Sequence, residues 1–118
     1  MMNKEITILE DDSDIREICT YFFTNEGFKV NSYATIEDFY AAHTKPNLFL
    51  LDVRLPDGNG LDVCRTLKND QQNKGIPIIM MSAHMDIDVM MERAGAEHFI
   101  SKPFDLDQLL AKVVALTK

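Results

Sequence analysis

The chain has 118 residues, of which 46% are hydrophobic and 26% charged, the composition of one ordinary globular domain with enough apolar mass for a core. Its formal charge of -7 excludes a basic footprint for nucleic acid and leaves solubility as the plain consequence. No apolar run approaches the roughly 20 residues that span a bilayer, and no apolar signal segment follows Met1, so a single cytoplasmic domain over residues 1–118 is expected.

Strand-like and helix-like segments alternate in chain order. Ile6-Thr7-Ile8-Leu9 is an apolar run ended by Glu10-Asp11-Asp12. Ile15, Ile18, Cys19, Phe22 and Phe23 keep helical spacing up to Gly27, and Phe28–Asn31 has strand character. Ile36, Phe39 and Tyr40 mark a second helix before Pro46; Leu48-Phe49-Leu50-Leu51 is a second apolar run, ended by Asp52. Leu61, Cys64 and Leu67 predict a third helix, Ile76–Met81 a strand ended by Ser82, and Ile87–Ala94 a fourth helix stopped by Gly95. Phe99-Ile100 forms a last short strand leading to Lys102-Pro103, and Leu106, Leu109, Leu110, Val113 and Val114 line one face of a fifth helix. Alternation of this kind predicts a doubly wound α/β fold. Right-handed crossovers favour the flavodoxin-like arrangement: a five-stranded parallel sheet between two layers of about five helices. Cys19 and Cys64 fall on apolar stripes and are expected as small buried hydrophobes, not as a disulfide or metal pair.

In such a sheet, ligands bind outside the carboxyl ends of the strands. Glu10, Asp11 and Asp52 converge there and suit a hard cation, which prefers oxygen ligands. Magnesium takes few direct carboxylates, so Asp11 and Asp52 are expected to bind directly and Glu10 through water. Asp12 and Asp14 are assigned to helix capping. Asp52 is also a candidate nucleophile, since a carboxylate attacking phosphorus yields an acyl phosphate. Ser82 and Lys102 supply a hydroxyl and an ammonium for the charge of a transferring phosphoryl group. His43, His84 and His98 are scattered without metal-ligand spacing.

Taken together, these segments resemble the receiver domain of bacterial two-component response regulators. The resemblance rests on Ile8-Leu9-Glu10-Asp11-Asp12-Ser13-Asp14-Ile15-Arg16, Leu51-Asp52-Val53-Arg54-Leu55-Pro56-Asp57-Gly58-Asn59-Gly60, Met81-Ser82-Ala83, Gly95-Ala96 and Ser101-Lys102-Pro103-Phe104. It implies that Asp52 is the phosphoacceptor. Glu10, Asp11, Asp52 and the Arg54 backbone carbonyl would surround Mg²⁺ or Mn²⁺. Ser82 would be the switch hydroxyl, Lys102 the phosphate-contacting lysine and Phe99 the switch aromatic. Arg54 and His84, two residues after Asp52 and Ser82, would modulate dephosphorylation. The implied donor is a phosphohistidine on a sensor histidine kinase or phosphotransfer protein. The implied output is a shift of the face built from Ile87–Ala94, the Phe99 strand and Asp105–Leu116. That face would act on an output protein, on an attached effector domain or in a phosphorylation-dependent dimer, with no direct nucleic-acid or membrane contact.

Two other readings stay in play. An aspartyl-phosphate phosphatase of the haloacid-dehalogenase type would carry a second Asp two residues after the nucleophile, where this chain has Arg54. A binding module that never takes phosphate would normally have lost Asp11, Asp52 or Lys102, and all three are present. Gly95-Ala96-Glu97-His98-Phe99 also departs from the Gly-Ala-Asp-Asp-Tyr usual in winged-helix regulators, so a winged-helix dimer interface is not expected to carry over unchanged.

Overall fold

The computed structural model describes residues 4–83 and 94–118. In chain order the elements are β1 (Glu5–Leu9), α1 (Ser13–Asn25), β2 (Lys29–Tyr33), α2 (Ile36–Ala42), β3 (Leu48–Asp52), β4 (Arg54–Leu55), β5 (Gly58–Asn59), α3 (Gly60–Lys68), β6 (Ile78–Ser82), β7 (His98–Ser101) and α4 (Leu106–Leu116). Five strands form one sheet in the order β2-β1-β3-β6-β7, every pair parallel. That is the flavodoxin-like order, reversing beside β1 and β3. The expected helix at Ile87–Ala94 lies outside the described residues except for Ala94, which is buried.

The apolar runs are continuous because both faces of the sheet are covered. Successive side chains still go to opposite faces, and this sorts the interior into two cores. Ile6, Ile8, Leu48, Leu50, Ile79, Met81 and Ile100 pack with Cys19 and Phe23 of α1 and Leu109 and Val113 of α4. Leu9, Phe49, Leu51, Ile78 and Met80 pack with Phe39 of α2 and Leu61, Cys64 and Leu67 of α3. Both cysteines are buried, as expected; they are free, and one lies in each core. Burial pushes each thiol up to about 11.

Each described helix starts on a side-chain cap. Asp12 accepts from the N–H groups of Asp14 and Ile15 at 2.9 and 3.1 Å, Asn59 from Leu61 N–H at 2.7 Å, and Asp105 from Asp107 N–H at 2.8 Å. At α2, Thr35 takes the Asp38 N–H at 3.1 Å, and Asp57, from the distant β4–β5 hairpin, takes those of Ile36 and Glu37 at 2.9 and 3.0 Å.

Two strands start later than expected. Phe28 precedes β2 and instead sets its ring edge-on against Phe23, with centroids 5.8 Å apart. β6 begins at Ile78, because Ile76 N–H is spent in a turn to the Asn73 carbonyl at 2.9 Å and Pro77 has no N–H to give. At that end of the sheet Glu97 accepts from Ile78 N–H at 2.7 Å and pairs with Lys68 Nζ at 2.7 Å. Lys68 Nζ also donates to the Ile76 carbonyl at 3.0 Å.

Candidate functional site

The parallel register brings four strand ends level. Leu9 stands opposite Leu51, Asp52 opposite Met81, and Ser82 opposite Ser101. Glu10 and Lys102 are therefore the first residues past two strands, and Asp52 and Ser82 are the last residues of the two between. Lys102 N–H bonds the Ser82 carbonyl at 2.8 Å, and Val53 N–H bonds that of Met81 at 3.1 Å, so the backbone of the site is continuous with the sheet. The Lys102–Pro103 peptide is cis. A cleft of about 300 Å³ opens over this edge, lined by Glu10, Asp11, Asp52, Arg54, Ser82 and Lys102 among others.

Within the cleft, Glu10 is fully buried and Asp52 is 5% exposed, while Asp11 lies open to solvent. Lys102 Nζ donates to Glu10 Oε1 at 2.7 Å and stands 3.2 Å from Asp52 Oδ1. The second Glu10 oxygen accepts from Asp12 N–H at 3.1 Å. Burial pushes the Glu10 carboxyl up, to about 7; Lys102 and the Asp12 N–H oppose the rise and Asp52 adds to it. Burial by itself would lower the Lys102 pKa, but Glu10 and Asp52 outweigh it and hold the ammonium above its ordinary value.

One carboxylate oxygen from each of Glu10, Asp11 and Asp52 lies within 4.8 Å of the others. Opposite ligands of an octahedral Mg²⁺ stand about 4.2 Å apart, so small side-chain rotations would bring this donor set onto one hard cation. Oxygen-only donors also match the chemistry of Mg²⁺ or Mn²⁺. Glu10 is already engaged by Lys102 through Oε1.

The structure thus brings together Glu10, Asp11, Asp52, Arg54, Ser82 and Lys102. Asp12 caps α1, as expected. Phe99 sits outside the cleft, three residues before Lys102 on the same strand path; it is 38% exposed and not a core residue. His84 lies outside the described residues.

Gly60 completes the site and was not anticipated. A Cβ there would stand 1.8 Å from the Asp52 carbonyl oxygen, so the start of α3 is seated directly on the backbone of Asp52. The glycine that follows Asn59 was the available signal.

The family model of the response regulator receiver domain matches residues 6–114. This chain belongs to that family. The receiver domain is 39% identical over 121 residues to the DNA-binding response regulator MtrA of Mycolicibacterium paratuberculosis, covering 97% of this chain and 51% of that protein. The chain therefore spans about half the length of that curated relative. Among solved structures, a putative response regulator from Chloroflexus aurantiacus superposes with a TM-score of 0.92 at 22% identity, covering 98% of both chains, a likeness of fold. A CheY-like response regulator receiver domain protein from Methanospirillum hungatei superposes with a TM-score of 0.89 at 28% identity, covering 97% of this chain and 93% of that one. The receiver domain is accordingly a phosphoacceptor signalling switch of the two-component type.

Proposed function

We propose that Asp52 is the phosphoacceptor and that Lys102 and Ser82 receive the phosphoryl oxygens. The supporting observation is the placement of a nearly buried Asp52 carboxylate 3.2 Å from the Lys102 ammonium. An Asp52 oxygen attacks phosphorus in line; the P–N bond of a phosphohistidine breaks, and its electron pair returns to the imidazole nitrogen. Asp52 is already held by the end of β3, so little reorganisation precedes attack. Lys102 then turns from Asp52 to the new phosphoryl oxygens while Glu10 keeps it in the cleft. Ser82, buried at the end of β6, offers its hydroxyl to the same group. Asp11, Asp52 and the Arg54 carbonyl would hold Mg²⁺ or Mn²⁺, with Glu10 acting through water. The cation supplies charge neutralisation on the phosphoryl oxygens, the dominant demand of phosphoryl transfer.

The donor under this reading is a sensor histidine kinase or a histidine phosphotransfer protein in the cytoplasm. The output is a change at the face that includes Phe99 and α4, read by an effector domain, a separate protein or a second copy; of the Ile87–Ala94 part of the expected face, only Ala94 lies among the described residues. Arg54, exposed on the cleft rim, and His84 tune the lifetime of the acyl phosphate. Among the described residues no helix is long and apolar enough to cross a membrane, in keeping with that setting.

The test is intact-protein mass spectrometry after incubation with acetyl phosphate and Mg²⁺. The parent gains one base-labile phosphoryl group and Asp52→Asn gains none. Equal labelling of Asp52→Asn would remove Asp52 from the role.

A further inference from the structure

The turn from β1 to α1 is three residues long, Glu10-Asp11-Asp12, and all three are acidic. Two of them, with Asp52, crowd three carboxylate oxygens within 4.8 Å. Like charges at that distance repel, and a short turn relieves repulsion most simply by rotating its peptides and swinging a carboxylate outward. Lys102 Nζ, 2.7 Å from Glu10 and 3.2 Å from Asp52, offsets part of this, but the peptides of the turn itself still have to be held.

Arg16 is placed to do so. Its guanidinium Nη1 donates to the Glu10 carbonyl at 2.8 Å and to the Asp11 carbonyl at 3.3 Å. Its backbone N–H donates to the Asp12 carbonyl at 3.0 Å. The three consecutive carbonyls of the acidic turn thus converge on one residue. Arg16 is half-buried and makes no ion pair among the described residues. Its hydrogen bonds go to the backbone. Fixing both peptide planes that flank a Cα fixes its Cα–Cβ direction: Arg16 holds the two around Asp11, and Arg16 together with the Glu10 N–H bond to the Tyr33 carbonyl at 3.0 Å holds the two around Glu10. With the Glu10 and Asp11 carbonyls turned toward Arg16, their side chains are directed toward Asp52.

We infer that Arg16 is a positioning residue for the divalent-cation site, acting through the backbone of Glu10 and Asp11 without touching the ion. The inference rests on the reading of that cleft as a Mg²⁺ site. It has an unusual sign. A cation near a divalent-metal site weakens binding through simple Coulomb repulsion, so removing one should tighten it. Positioning requires the opposite.

The experiment is a calorimetric Mg²⁺ titration of the metal-free protein in the parent, Arg16→Ala, Arg16→Lys and Asp11→Ala. Removing groups that orient metal ligands costs about 10–100-fold in affinity, and a loss near the lower end is expected for Arg16→Ala. Arg16→Lys, which still places a donor near these carbonyls, should recover part of it. In the metal-free state, amide exchange at Asp12, whose N–H bonds Glu10, should quicken in Arg16→Ala. Unchanged or tighter Mg²⁺ binding by Arg16→Ala, with Asp11→Ala weakened, would overturn the inference and leave the metal site standing. Unchanged binding by Asp11→Ala would overturn the site reading itself. If Arg16→Ala does not fold, Arg16→Gln replaces it in the titration and the same two outcomes decide.

Discussion

Replacing Gly60 with alanine should damage stability and phosphorylation together, because one contact links them. The added Cβ would stand 1.8 Å from the Asp52 carbonyl oxygen and 2.9 Å from its carbonyl carbon. Both are backbone atoms, so no flexible side chain can yield. To reach even 3.0 Å, about 1.2 Å must open between the start of α3 and the end of β3. Gly60 N–H also donates to the Val53 carbonyl at 2.7 Å, a bond that the same opening stretches. Overpacking of this kind costs about 1–3 kcal/mol, and the backbone clash places Gly60→Ala at the upper end. For a chain of this size that is a fall in Tm of roughly 10 °C. Displacing a reacting group by about 1 Å costs on the order of 100-fold in rate, so labelling of Asp52 by acetyl phosphate should slow to that extent in the fraction still folded. Gly75→Ala is the control: no atom lies within 4 Å of its Cβ, and stability should change by less than about 0.5 kcal/mol. Urea unfolding and a phosphorylation time course measure both quantities. A Gly60→Ala protein as stable as the Gly75→Ala control and labelled at the parent rate would refute the reasoning.

Three further outcomes are expected. The Ile36 N–H, joined by that of Glu37 and opposed by desolvation, holds the Asp57 carboxyl below its ordinary value. A depressed carboxyl stabilises the fold above its unfolded pKa of about 3.9 and loses that contribution as pH falls through the folded value. Urea midpoints for Asp57→Ala should therefore lie below the parent at neutral pH and converge with it in acid; a gap that persists in acid contradicts the capping role. Lys68→Met removes the partly buried pair with Glu97 and the bond to Ile76, and should cost about 1 kcal/mol; Arg65→Ala, which breaks an exposed pair with Asp62, should cost about 0.3. The reverse ranking in denaturant titrations would show that burial of the clamp is irrelevant. Finally, beryllofluoride with Mg²⁺ should shift the ring resonances of Phe99 in the parent and leave them unmoved in Ser82→Ala. Equal shifts in both proteins would uncouple Phe99 from the Ser82 hydroxyl.

The apolar runs closed by Asp52, by Ser82 and by the acidic turn made the sheet and its reactive edge legible, because strand ends in this architecture lie level. The Lys102–Glu10 bond was less accessible: its partners are 92 residues apart, and charge logic sets Lys102 against the phosphate and against the carboxylate cluster as a whole without picking out the buried Glu10. Asp57 was equally opaque, since a helix cap borrowed from about 20 residues downstream has no local signature. The two-residue strands β4 and β5 carry too little pattern to register at all. Arg16 stood in the sequence only as the last residue of the motif around the acidic turn; its partners are carbonyls, and every sequence carries those at every position.

The division of the interior by the sheet has a practical consequence. Cys19 and Cys64 lie on opposite faces, each buried and each with its thiol held up to about 11, so neither reacts until its own layer of helices lifts. The chain is therefore supplied with two internal reporters that no engineering has to introduce. The rate of thiol capture at Cys19 measures opening of the α1–α4 layer, and the rate at Cys64 measures opening of the α2–α3 layer, in the same molecule at the same time. Followed with and without beryllofluoride, the pair would show on which side of the sheet the protein loosens when it is switched on.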